Sequence, residues 1–307
     1  MVALFVLALA LGSVASPHAD SFDSFIWASG EIRGKMYEKA AVLVPVEIPG
    51  VETKLYGQLD TGSDATVFYG NLLRRHGVPV DSGGAIPLRF RWFGHSDKQG
   101  PLETPGFVDW TTDADVNPQS DDPSEHIIGS IGLDKVVGKV LILDFPSCKY
   151  AVVSDTLAVR QLLPDSVNYV DAAVAYNKFF LSVGLGADTL QAVRFDSGSS
   201  SFMLILPYDW WQWATGLSAE SPTVVKDTIP SWGKGVETWT APAKYELTFG
   251  QIRIPAPMVT YIDWPDSTLT NARIMGNAPF YNDYVVVVDC IRQKFGVAGR
   301  VPAQDSD

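Results

Sequence analysis

Cysteine and histidine are scarce in this sequence of 307 residues, which contains two cysteines and four histidines. Two cysteines are too few for a disulfide scaffold, and without matching histidines they cannot form a structural zinc site. The histidines show no HExxH spacing, and the chain has no phosphate-binding loop, no dinucleotide-binding GxGxxG and no GxSxG elbow. We therefore expect neither a metal nor another cofactor.

Positive charge is also scarce, because 23 basic residues face 35 acidic ones and the formal net charge is −12. Nucleic acids and anionic membranes attract basic surfaces, so neither is expected as a partner. An acidic surface suits a protein that works at low pH. The content of hydrophobic residues, 46%, is ample for a packed core.

Long apolar runs are missing as well, and no stretch reaches the roughly 20 residues that span a bilayer. The start, "MVALFVLALALGSVASPHA", has the length and order of a secretory signal peptide over residues 1–19. No basic residue precedes its apolar run, which leaves a buried N-terminal helix as the alternative. The signal interpretation predicts a protein that is secreted or lies in the lumen of an acidic compartment.

The chain repeats itself. Residues 40–63 align with residues 172–199, and residues 127–153 align with residues 274–298, with the motifs in the same order. Each half reads as short strands separated by Gly, Pro and Asp, with short helices at 71–77 and 206–216 that would end at glycines. The sequence therefore predicts a mostly β fold with two pseudo-symmetric lobes.

The repeat also sets the expected boundaries. A short N-terminal segment at 20–35 would follow the signal, and an N-terminal lobe would occupy 36–153. Residues 154–171 would cross to a C-terminal lobe at 172–302, and residues 303–307 would form a tail. Each lobe would carry one copy of the motif D-[TS]-G-S.

The two copies of that motif carry the chemistry. Asp60 and Asp196 each end an apolar strand at a point where a glycine allows close approach and backbone N–H groups can bind the carboxylate. If the lobes bring both aspartates to one seam, the pair will hold one shared proton. The charged member could then deprotonate a water while the protonated member donates to a carbonyl oxygen.

The rest of each motif would support this pair. The hydroxyls of Thr61 and Ser197 could form hydrogen bonds with the opposite loop, and Ser63 and Ser199 could hold the outer carboxylate oxygens. A single Asp-Thr-Gly is usually an ordinary turn, so the prediction depends on the doubling. The supporting residues are Thr61, Gly62, Ser63, Ser197, Gly198 and Ser199.

With "LDTGSDATVF", "FDSGSSSF", "IIGSIG" and "IMGNAPFYNDYVVVVDCIRQKFGVA", the sequence resembles the two-lobed, pepsin-like aspartic peptidases over nearly all of the mature chain. The resemblance implies a bilobal acid protease fold, a catalytic dyad of Asp60 and Asp196, and loops behind the dyad at Gly129 and Gly276. It implies a secreted endopeptidase that cuts a polypeptide held in a cleft between the lobes at acidic pH. We expect a monomer.

The chain departs from the family at its expected flap, the hairpin at 87–104, which lacks a tyrosine. Trp92 is the candidate to replace it, with core packing as the alternative. The altered flap keeps open a catalytically inactive pepsin-like protein that binds a peptide or an enzyme. A β-rich binding domain would require the repeat to be accidental.

Cys148 and Cys290 follow matching strands, and we hypothesise that they pair across the lobes in an oxidising compartment.

Overall fold

A computed structural model describes residues 22–32, 35–48, 51–78, 106–108, 119–163, 166–231, 234–266 and 268–299. The predicted signal peptide and tail lie outside these residues. So does the flap candidate Trp92, together with the whole hairpin expected around it.

Strands dominate the described residues. The first half forms nine strands, β1 (Asp23–Ser24), β2 (Ile26–Ile32), β3 (Lys35–Val46), β4 (Leu55–Leu59), β5 (Val67–Tyr69), β6 (Gly106–Val108), β7 (Ile127–Ile131), β8 (Val140–Asp144) and β9 (Lys149–Val153). The second half forms twelve, β10 (Asn168–Ala175), β11 (Lys178–Leu185), β12 (Asp188–Phe195), β13 (Leu204–Ile205), β14 (Val225–Ser231), β15 (Lys234–Pro242), β16 (Leu247–Phe249), β17 (Ile252–Ile254), β18 (Met258–Ile262), β19 (Ile274–Met275), β20 (Tyr284–Asp289) and β21 (Lys294–Gly299). The prediction of a mostly β protein is confirmed.

Helices are short and few among these residues. They are α1 (Gly70–Arg75), α2 (Thr156–Leu162) and α3 (Tyr208–Thr215), with 3-10 turns at Pro123–His126 and Leu133–Lys135. The predicted helices at 71–77 and 206–216 are confirmed as α1 and α3. Gly77 and Gly216, which follow these two helices, have φ angles of 74° and 69°, in the left-handed region that glycine adopts most easily. No helix in the described ranges is both long enough and apolar enough to span a membrane.

Each half contains the same arrangement of three strands. In the first half, β7 lies between β4, to which it runs parallel, and β5, to which it runs antiparallel. In the second half, β19 lies in the same way between β12 and β13. Asp60 directly follows β4 and Asp196 directly follows β12, so each aspartate leaves its sheet at an equivalent point.

A shared sheet joins the two halves. β8 and β20 pair antiparallel, and β9, β21, β10 and β1 extend the sheet on either side. Sequence alone assigned β8 to the first lobe and β20 to the second, yet they are direct neighbours. Both strands are almost completely buried, which explains their continuous apolar runs "VLIL" and "VVVV".

Strands occupy parts of the two segments that the sequence predictions placed outside the lobes. The segment 20–35 contains β1 and β2, and β2 pairs with β3, so ordered strands begin before residue 36. The predicted connection at 154–171 contains α2, but β10 already begins at Asn168 within it and pairs with β21. β1 and β10 pair with strands that are distant in sequence, β9 and β21, whereas β2 pairs with the adjacent β3.

The two cysteines are free thiols, so the hypothesised disulfide is not formed in this structure. Cys148 lies in the turn after β8, and Cys290 lies in the turn after β20. Because β8 and β20 are antiparallel, with Asp144 opposite Val285 and Asp289 opposite Val140, the turns lie at opposite ends of the sheet. That places them roughly 13 Å apart along the strands, whereas a disulfide needs Cα atoms within about 7 Å.

Candidate active site

Each motif aspartate lies directly beside the glycine of the other motif. A Cβ atom added to Gly62 would lie 2.2 Å from Cγ of Asp196, and a Cβ atom added to Gly198 would lie 2.6 Å from Cγ of Asp60. Only a residue without a side chain leaves room for the carboxylate of the other half at these positions. The structure therefore brings Asp60 and Asp196 together at one seam.

Reciprocal hydrogen bonds hold the two motif loops in this position. The backbone N–H of Thr61 donates to Oγ of Ser197 (3.0 Å), and the N–H of Ser197 donates to Oγ1 of Thr61 (2.9 Å). Each hydroxyl in turn donates across the seam, from Thr61 to the carbonyl of Phe195 and from Ser197 to the carbonyl of Leu59. Both hydroxyls are fully buried, so the loss of either would leave unpaired polar groups.

Backbone N–H groups bind both carboxylates. Oδ1 of Asp60 accepts from the N–H groups of Gly62 and Ser63, each at 3.0 Å. Oδ1 of Asp196 accepts from the N–H groups of Gly198 (2.9 Å) and Ser199 (3.2 Å). These bonds fix the side chains and favour a charged carboxylate.

The two motif serines differ in what their hydroxyls bind. Oγ of Ser199 donates to Oδ2 of Asp196 at 3.1 Å, the arrangement that the sequence predicted. Oγ of Ser63 donates instead to the carbonyl of Ala65 at 2.8 Å. The prediction that the hydroxyl of Ser63 holds Asp60 is therefore wrong in this structure, because a backbone carbonyl takes that hydroxyl.

Gly129 and Gly276 lie behind the motif loops. An added Cβ atom would lie 2.4 Å from the carbonyl oxygen of Val67 at Gly129, and 2.0 Å from that of Ser199 at Gly276. Gly129 lies on β7 and Gly276 directly follows β19. The carbonyls of Ile131 on β7 and Met275 on β19 accept the N–H groups of Asp60 and Asp196, both at 2.9 Å. The apolar-Gly segments thus support the ends of the strands that precede the aspartates.

The site strongly favours a proton on Asp60. Burial raises its pKa from an ordinary value of 3.8 to about 8, and the adjacent charge of Asp196 and a hydrogen bond with it act in the same direction. The N–H of Ser63 and the charge of Arg194 oppose the rise. A carboxyl with such a pKa stays protonated in acid and at neutral pH, as expected for two carboxyls that share one proton.

Two further residues at the site were not predicted. Arg194 approaches Asp196, with 3.5 Å between Nη2 and Oδ2. Tyr69 lies in the same cleft, and its hydroxyl shares a hydrogen bond of 2.9 Å with Oγ of Ser130. Burial raises the pKa of Tyr69 to about 12. The alternation of β12 could have identified Arg194, which is two residues before Asp196 and therefore on the same face.

The pair opens into a cleft of about 520 Å³. Both halves contribute to its walls, and the hydroxyl of Tyr37 on β3 donates to Asp227 on β14 in the other half. At the rim, Lys178 of the second half lies 3.8 Å from Asp64 of the first. One wall is apolar and comprises Phe202, Ile229, Ile262, Trp264, Leu269 and Ile274.

The described part of the chain contains no group of three or more histidine, cysteine, aspartate or glutamate residues that could hold a metal ion. The nearest approach of two histidines there is the pair His76 and His126, with 5.1 Å between ring centroids. This pair lies outside the lining of the cleft.

Comparisons with known proteins give little further information. No family model and no curated protein match the chain. Among solved structures, the chain is similar to conglutin gamma, described as a unique basic 7S globulin from lupine seeds, with 8% sequence identity and a TM-score of 0.48. The match covers 90% of this chain and 94% of that one.

Proposed function

We propose that this protein is an aspartic endopeptidase with the two-lobed, pepsin-like architecture, and that it hydrolyses peptide bonds at acidic pH. The observation that carries the proposal is the contact of Asp60 and Asp196 across two loops joined by reciprocal hydrogen bonds. Two carboxyls in contact, one with a pKa raised to about 8, form an acid and a base at one point.

The chemistry follows from this pair. The charged carboxylate takes a proton from a water molecule, and the oxygen of that water attacks the carbonyl carbon of the peptide bond. The protonated carboxyl donates its proton to the carbonyl oxygen, which gives a neutral tetrahedral intermediate. When the C–N bond breaks, the protonated carboxyl gives its proton to the leaving nitrogen, and a hydroxyl of the intermediate gives its proton to the charged carboxylate. The pair therefore holds one shared proton again.

The cleft supports a polypeptide as the substrate. It runs between the halves, and its apolar wall lies beside the strand that leads to Asp196. We propose that a large apolar side chain of the substrate packs there, because burying one contributes roughly 1.5–3 kcal/mol. A location outside the cell or in an acidic lumen belongs to the same proposal, and the pair would hold its proton there.

The test is digestion of an unfolded protein substrate across a range of pH, with the wild type, Asp60→Asn and Asp196→Asn. We expect the wild type to cleave in acid, to lose activity as the pH approaches 8, and to be inhibited by a statine-type inhibitor. Both variants should fold and be inactive. The double variant should lose little more than either single variant, because the two carboxyls act as one unit.

Two results would contradict the proposal. Cleavage that persists in either single variant would show that the paired carboxyls are not the catalyst. A folded wild type that binds the statine-type inhibitor but cleaves nothing at any pH would favour the alternative, an inactive protein that binds a peptide or an enzyme. Asp188→Asn, on the exposed end of β12, is the matched control and should keep full activity.

A further inference from the structure

Arg194 lies on the face of β12 that meets the cleft. Its neighbours Val193 and Phe195 are fully buried in the core, so the alternation of the strand turns Arg194 and Asp196 to the opposite side. The side chain of Arg194 is only 14% exposed, and its Nη2 lies 3.5 Å from Oδ2 of Asp196. A largely buried guanidinium is permanently charged, so it acts on the pair at every pH.

The internal symmetry of the chain shows what is unusual here. Gln58 precedes Asp60 by two residues, as Arg194 precedes Asp196, and both residues line the cleft. Nε2 of Gln58 donates to the carbonyl of Gly198 at 3.3 Å and carries no charge. One half of the site therefore has a neutral amide at the position where the other half has a cation.

The donors around the two carboxylates differ in the same direction. Asp60 accepts two backbone N–H groups. Asp196 accepts hydrogen bonds from two backbone N–H groups and from the hydroxyl of Ser199, and it also forms an ion pair with Arg194. Hydrogen bonds to a charged carboxylate and a cation within about 4–6 Å both favour the charged form.

We propose that Arg194 is a positioning residue that keeps the negative charge of the pair on Asp196 and the shared proton on Asp60. Asp196 is then the base that activates the water, and Asp60 is the acid that protonates the carbonyl. The inference rests on the proposed function, because it assigns the two roles which that function requires. It also means that Arg194 moves the working range of the pair toward lower pH.

The other titratable groups that line the described cleft do not make this distinction. Lys178 lies 3.8 Å from Asp64 at the rim, so its charge faces a carboxylate outside the pair. The hydroxyl of Tyr69 is bonded to Ser130, and its raised pKa keeps it neutral in acid. Tyr37 donates to Asp227 on β14.

The direct test is an NMR titration of the unliganded protein with ¹³C-labelled aspartate carboxyls. Asp60→Asn and Asp196→Asn assign the two signals. Between the two protonation steps of the wild-type pair, we expect the Asp60 signal to show a protonated carboxyl and the Asp196 signal a carboxylate. The reverse assignment in the wild type would overturn the inference, whatever the behaviour of any variant.

Variants then test whether Arg194 is the cause. Arg194→Gln should move both protonation steps to higher pH, and the more acidic step by about 1 pH unit, because an adjacent cation is lost. Arg194→Lys should retain most of the wild-type behaviour. Arg253→Gln removes the same charge from a surface pair in which the side chain of Arg253 is 71% exposed, and it should change neither step. Unchanged steps in a folded Arg194→Gln variant would overturn the inference.

The pH profile of peptide hydrolysis separates this inference from the proposed function. In Arg194→Gln the acid limb should move up by the same amount, so that activity on that limb falls about tenfold at a fixed pH. If the wild type proves inactive, the proposed function fails, while the NMR titration still decides where the proton lies. If the wild type cleaves and the profile of Arg194→Gln is identical, only the role of Arg194 fails.

Discussion

Replacing Asp60 with asparagine should change how the stability of the protein depends on pH. Asparagine has the same shape, accepts from the N–H groups of Gly62 and Ser63, and can donate to Asp196 as a protonated carboxyl does. It cannot ionise. The variant therefore removes one titration from the folded protein and leaves the hydrogen bonds in place.

The sign of the effect follows from the direction of the pKa change. The pKa of Asp60 is raised in the folded protein from about 3.8 to about 8, so the native state binds its proton more tightly than the unfolded state. This contribution to stability is fully present below about pH 4, and it is lost progressively as the pH rises to about 8. Above pH 8 the folded protein carries the full cost of the charged pair.

The magnitude has a ceiling of about 5–6 kcal/mol, because each unit of pKa difference corresponds to about 1.4 kcal/mol. Asp60 is half-buried, faces the cleft and shares its proton with Asp196, so we expect about half of this ceiling. Asp60→Asn should then equal the wild type in free energy of unfolding at pH 4. At pH 8 it should be more stable by roughly 2–3 kcal/mol.

Urea unfolding at five pH values between 4 and 8 measures this difference, since contributions common to both proteins cancel. Asp188→Asn, an exposed residue at the start of β12, makes the same charge change away from the site and should run parallel to the wild type. A constant difference between Asp60→Asn and the wild type over the whole range would refute the reasoning. It would mean that the proton does not reside on Asp60.

Two other predictions depend on packing and on a second titratable group. Gly62→Ala should abolish proteolysis and lower the melting temperature, because its Cβ would lie 2.2 Å from Cγ of Asp196. Gly77→Ala would have no atom within 4 Å of its Cβ, so it should cost only the strain of its left-handed backbone, roughly 1–2 kcal/mol. Equal melting of the two variants would contradict this. Burial and the charge of His126 lower the pKa of His76, so stability is full above about pH 6.5 and falls in acid. His76→Phe should reduce that acid loss in urea unfolding, and an unchanged loss would contradict the assignment.

The repeat in the sequence predicted the arrangement around the two aspartates because that arrangement is local. Asp60, its glycine and its strand are adjacent in sequence, and the same holds for Asp196, so matching patterns imply matching shapes. The close approach of the halves is also visible in the sequence, since only glycine fits at positions 62 and 198. Residue types at fixed spacing are therefore enough to predict these features.

Contacts between segments that are distant in sequence could not be predicted in this way. The pairing of β8 with β20 joins strands more than a hundred residues apart, and either sequence would suit any buried strand. The free state of Cys148 follows from that pairing and could not be inferred from the strands separately. The hydroxyl of Ser63 donates to the carbonyl of Ala65 and not to Asp60, and only the shape of the loop determines this choice.

The doubled motif does not predict the difference in charge between the two halves of the site. Two copies of D-[TS]-G-S predict equal carboxyls, whereas hydrolysis requires one to be charged and the other protonated. The difference in charge lies two residues outside the motif, where Arg194 occupies the position that Gln58 has in the other half. A motif search stops at the repeat, but the alternation of a strand extends beyond it and brings residue 194 to the same face as the aspartate. In a duplicated site, the residues that differ between the two copies are therefore the ones that can give the two carboxyls different roles.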